Sequence, residues 1–162
     1  MKILKNNLTM GIIKRKVLIL LIFIIPLSFT SIVSAQSLGN KLATIEKNGY
    51  VSENDILVKR FNSLLKLLDN NYIDTKQEIA DKTVTARKLL QENGIDVSMI
   101  KIMEGMNKIY DLNNSNRKYN EYLTCYIIFR VNGYNHDKSL SLLQESINTY
   151  GINGTLKKLG IK

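Results

Sequence analysis

The chain carries one histidine, His136, and one cysteine, Cys125. A His-Asp pair at 136–137 could serve a nucleophile, but no Gly-x-Ser-x-Gly or similarly framed serine accompanies it. His136 therefore reads as a residue of the turn where a helix begins. Metal sites draw on several His, Cys or carboxylate ligands at set spacings, and one His and one Cys eleven residues apart do not meet that. No Asp-x-Asp-x-Asp-Gly calcium loop is present either. The sequence thus implies no metal and no cofactor. A reactive thiol needs a nearby base and partial exposure, and Cys125, between Thr124 and Tyr126, shows neither in sequence. It reads as a buried structural residue, with a disulfide to a second chain as the alternative.

Carboxylate pairs are the next chemistry to weigh, because glycosidases flank a cleft with two acids, one of raised pKa. Glu78 and Asp81 stand three apart, but they lie in a charged first turn beside Lys76 and Lys82, where acids suit the positive helix end. Glu104, between Met103 and Gly105, and Glu121, among tyrosines, have more apolar neighbours. They are the candidate acids of a small cell-wall hydrolase, although nothing in the spacing makes them converge. Met99, Met103 and Met106 form a stripe that reads as core rather than as an adaptable binding face. The sharpest feature is Tyr119, Tyr122 and Tyr126 at i, i+3 and i+7, with Arg130 one turn on. Tyrosine and arginine are enriched at interface hot spots. These four are the candidate binding residues, on a face expected to meet a protein partner; a half-buried bundle face explains the same pattern without a partner.

The elements that must position these residues are helical. Leu42 and Ile45 suggest one or two turns over 41–47. Ser52 and Asp55 read as the start of a helix whose stripe is Leu57, Phe61, Leu64, Leu65 and Leu68. Asp74, with Gln77 behind it, opens the next, carrying Ile79, Thr83, Ala86 and Leu90 and stopping at Gly94. Asp96 or Ser98 caps a third, with Met99, Ile102, Met103, Met106, Ile109 and Tyr110 on its apolar face. Gly105 inside it costs about 1 kcal/mol against alanine, which a close helix approach would explain. The polar run 111–117 is a loop. The tyrosine helix follows and ends at Gly133. Asp137 caps another helix, with Leu140, Leu143, Ile147 and Tyr150 inward and Gly151 as its stop, and 154–159 adds a short last turn. Residues 118–151 have the length of a tetratricopeptide unit but lack its signature small residues, its proline and a second copy.

No segment alternates with period two, so the expectation is an all-α fold: one helical bundle of about five main helices with antiparallel neighbours. The bundle spans 36–162. Residues 1–35 read as a cleaved signal peptide: a basic start, nine apolar residues over 17–25, Pro26, and Val33-Ser34-Ala35 as the cleavage signature. The 19 residues 17–35 are long enough to raise an uncleaved anchor as the alternative. Five of the 23 basic residues and none of the 14 acidic ones precede residue 36, which leaves 18 against 14 and a net +4 from a total of +9. The high basicity is therefore no argument for nucleic acid. Membrane contact is expected only through the signal peptide. The resulting expectation is a periplasmic or secreted helical binding protein, rather than an enzyme. An immunity-type protein that occludes a toxin, the cell-wall hydrolase with Glu104 or Glu121 as acid, and a membrane-anchored accessory subunit stand as alternatives.

Overall fold

The structure is a computed structural model that describes residues 36–111 and 114–161. The expected signal peptide, 1–35, lies outside the described residues. Six helices and no strand occur among the described residues: α1 (Leu38–Lys47), α2 (Ile56–Asn71), α3 (Lys76–Glu92), α4 (Met99–Asn107), α5 (Tyr119–Val131) and α6 (His136–Lys158). The sixth is α1, which is a full helix where the sequence suggested one or two turns. None of these helices is long and apolar enough to cross a membrane.

The apolar stripes read from the sequence build the core. Phe61, Leu64, Leu65 and Leu68 of α2, Ile79 and Leu90 of α3, and Ile102, Met103 and Met106 of α4 are all buried. Helix α2 packs against α1, α3 and α4, and α5 pairs chiefly with α6. Two large residues depart from the expected faces. Tyr110 and Tyr150 are exposed rather than inward. Tyr110 lies beyond the end of α4 and so leaves its stripe, while Tyr150 is the last residue before the break at Gly151 (φ 65°) and its ring meets Lys158 Nζ at 3.5 Å.

Helix ends are set by short-range chemistry, and several caps sit one to three residues from the expected position. Asp55 caps α2 by accepting from Leu57 N at 2.7 Å, while Ser52 shapes the turn before it. Thr75 and Glu78 form a reciprocal capping box on α3, which frees Asp74 for another role. Asn135, not Asp137, caps α6. Ser98 caps α4 as expected. Helix α3 ends at Gly94 (φ 74°), with Ile95 N donating to Leu90 O and Gly94 N to Gln91 O, a left-handed stop that glycine adopts without strain.

Gly105 does mark a close approach. A β-carbon there would stand 3.0 Å from the Leu140 methyls and 3.1 Å from His136 Cε1, so α4 and α6 meet where the side chain is missing. Gly39 of α1 is tighter still: a β-carbon there would stand 2.5 Å from Asn62 Oδ1 and 2.6 Å from Val58 O of α2.

Candidate functional site

The tyrosines of α5 lie inside the protein. Tyr119, Tyr122 and Tyr126 are fully buried, which corrects the expectation that they present a surface to a partner; Arg130 is partly buried. The physical reason is that each hydroxyl finds an internal partner. Thr83 Oγ1 spends its hydrogen on Ile79 O, so the Tyr119 hydroxyl donates to it at 2.9 Å. Tyr122 donates to Asp111 Oδ2 at 2.7 Å and accepts from Asn114 Nδ2. Tyr126 bonds to His136 Nδ1 at 2.9 Å, with the two rings edge to face. Burial pushes the pKa of all three phenols up, and Asp111 adds to the rise at Tyr122. A tyrosine with its hydroxyl satisfied inside packs like a large apolar residue.

Around Tyr119 the network extends to residues that sequence reasoning missed. Asp74, 8 % exposed, pairs with Lys82 and accepts from Tyr119 N at 2.6 Å. Helix α5 has no cap of its own from Lys118, so Asp74 supplies it from the α2–α3 connection. Tyr72 packs edge-on against Tyr119 and Tyr122, and Arg117 lies over the rings of Tyr72 and Tyr122, 4.6 and 5.2 Å from their centres. Arg117 donates to Ile109 O and to the Tyr72 hydroxyl, which itself donates to Met106 O. Burial raises the Tyr72 phenol to about 12, opposed by Arg117. A second long-range cap mirrors Asp74: Glu46 of α1 accepts from Met99 N at 3.0 Å and pairs with Arg87, tying α1, α3 and α4 together. The only local signal for the Tyr72 group was an aromatic residue within a polar turn, Asn70 to Asp74.

The remaining candidates for chemistry are held apart. Glu104 pairs with Arg60 of α2, and Glu121 lies 4.0 Å from Lys118. The two acids therefore engage different partners rather than facing each other. Cys125 is buried, and burial, reinforced by Glu121, raises its thiol to about 12. A thiol so placed carries almost no thiolate at neutral pH. Met99, Met103 and Met106 are core residues. No group of His, Cys, Asp and Glu able to hold a metal occurs among the described residues. His136 keeps its pKa below the usual histidine value through burial, then Lys101, with Asp137 opposing and Arg130 and Lys108 adding.

Fold and network together define an all-α protein whose α5 is a buried tyrosine helix, locked at both ends by bonds to other segments. The chain belongs to the MoxZ family, whose model matches residues 49–148, more than half of its length. The matched part runs from the start of the α1–α2 connection into α6, and so takes in α2 to α5 whole. No curated protein and no solved structure matches the chain.

Proposed function

We propose that this MoxZ-family protein is exported and acts by binding a protein partner, through the connection between α1 and α2. The observation that carries the reading is the pair Tyr50 and Ile56, 88 % and 82 % exposed, at either end of a short connection that is itself pinned. Val51 is buried between them, and Asn40 Nδ2 donates to Val51 O at 2.8 Å. Glu53 accepts from both the amide and the hydroxyl of Ser37. Large apolar side chains held outward on a fixed backbone suit an interface, because little ordering entropy remains to be lost on binding. The buried tyrosines of α5 then serve this surface only by holding the bundle rigid.

Export is supported by the position of the first helix. Helix α1 starts at Leu38 with Ser37 as its cap, just beyond the expected cleavage point after Ala35. Two measurements test the proposal. The amino terminus of protein recovered from outside the cytoplasm is expected to be Gln36; an intact Met1 would contradict export with cleavage. Tyr50→Ser combined with Ile56→Ser is expected to weaken partner binding at least tenfold while leaving the unfolding midpoint unchanged. Full affinity in that variant would overturn the interface.

A further inference from the structure

The single histidine sits where α4, α5 and α6 meet, in surroundings charged almost entirely with one sign. His136 opens α6 and is 9 % exposed, with Nδ1 on the Tyr126 hydroxyl and Cε1 over Gly105. Arg130 lies one turn beyond Tyr126 on α5, and the Tyr126 hydroxyl has no acceptor other than Nδ1 among the described residues. The phenol proton therefore goes to Nδ1, and the neutral imidazole carries its own proton on Nε2. That nitrogen has no partner among the described residues and is not sealed from solvent. Lys101 and Lys108 stand four residues before and three after Gly105, so both project from the side of α4 on which His136 packs. Lys101, Arg130 and Lys108 all act on the imidazole, with Asp137 alone opposing them. None of the three cations makes an ion pair among the described residues, and Arg130 Nε is buried without a partner. The start of α6 adds the positive end of a helix to the same place. Lys82 and Arg87, partly buried like Arg130, each have a carboxylate.

We propose that Lys101, Lys108, Arg130 and the Nε2–H of His136 form a binding site for a small, free oxyanion of the phosphate type. Three cations set against Asp137 leave two positive charges, the complement of a phosphate dianion. Tyr126 is the positioning residue that fixes which imidazole nitrogen donates. The site uses no residue of the α1–α2 connection, so it stands or falls apart from the partner reading.

Because there is only one histidine, its imidazole signal in proton NMR reports this site without ambiguity. Inorganic phosphate titrated into the purified full-length protein is expected to raise the His136 pKa saturably. Sodium chloride at matched ionic strength is expected to give only a small, unsaturable drift. Lys101→Gln combined with Lys108→Gln, both exposed positions, is expected to weaken the phosphate response at least tenfold without altering the unfolding midpoint. A phosphate response equal to that of chloride, or unchanged in the double variant, would overturn the site. Vesicles of phosphatidic acid separate a lipid headgroup from a free anion, and a response to vesicles alone would also overturn it.

Discussion

Helix α5 carries two buried tyrosine junctions built in opposite ways. At its start, around Tyr119, charge is closed: Asp74 meets Lys82 and caps the helix, and Thr83 takes the phenol. At its far end, around Tyr126 and His136, charge is open: Lys101, Lys108 and Arg130 surround a neutral imidazole and lack carboxylate partners among the described residues. The first arrangement spends its polar groups on holding helices together. The second leaves them directed at something outside. The same residue type, tyrosine, therefore marks a structural lock at one end and supports a surface site at the other.

Breaking the closed junction has the largest expected effect. Asp74→Ala removes the cap of α5 and strands a partly buried lysine, and losing one partner of such a pair costs about 3 kcal/mol. Urea unfolding measures it; a loss no larger than that of a surface ion pair would show that the junction is not closed. The open junction is expected to yield less. Gly105→Ala gains helix propensity but presses on Leu140 and His136, for a net loss of about 1 kcal/mol. It also displaces the His136 signal, which an unstrained site would leave in place.

The pH response separates the two junctions further. The folded protein holds His136 below its unfolded pKa, so the unfolded chain takes up a proton first as pH falls. The contribution of this group to stability is therefore full above the unfolded value of about 6.5 and is lost as pH falls through the lower folded value. Unfolding midpoints at pH 7.5 and pH 5.5 should converge when His136 is replaced by Gln. An unchanged slope in His136→Gln would place the acid sensitivity elsewhere.

Much of the fold is legible in the sequence because helix periodicity is a local signal. Leu64, Leu68, Leu90 and Met106 fall inside as their spacing implies. Periodicity identifies an apolar face but not what covers it, so Tyr119, Tyr122 and Tyr126 read equally as core or as interface until α3, α4 and α6 are placed around them. Caps are less legible. Asp74 and Thr75 both offer an oxygen at the start of α3, and the choice between them rests on Tyr119, 45 residues away. The bonds of Glu46 to Met99 and of Arg117 to Tyr72 are equally distant in sequence. Gly105 was the exception, since a glycine within an apolar helix foretold the close approach that admits His136. The exposed pair Tyr50 and Ile56 left no sequence signal, because exposure depends on where the rest of the chain is not.

The most direct test of the account compares two exposed tyrosines. A photocrosslinking amino acid placed at position 50 in the native host should form a discrete adduct with one partner. The same probe at position 150, an exposed tyrosine at the other end of the chain, should not. An adduct from position 50 alone is the predicted result. No adduct at position 50, or equal adducts from both positions, would contradict a binding surface on the α1–α2 connection.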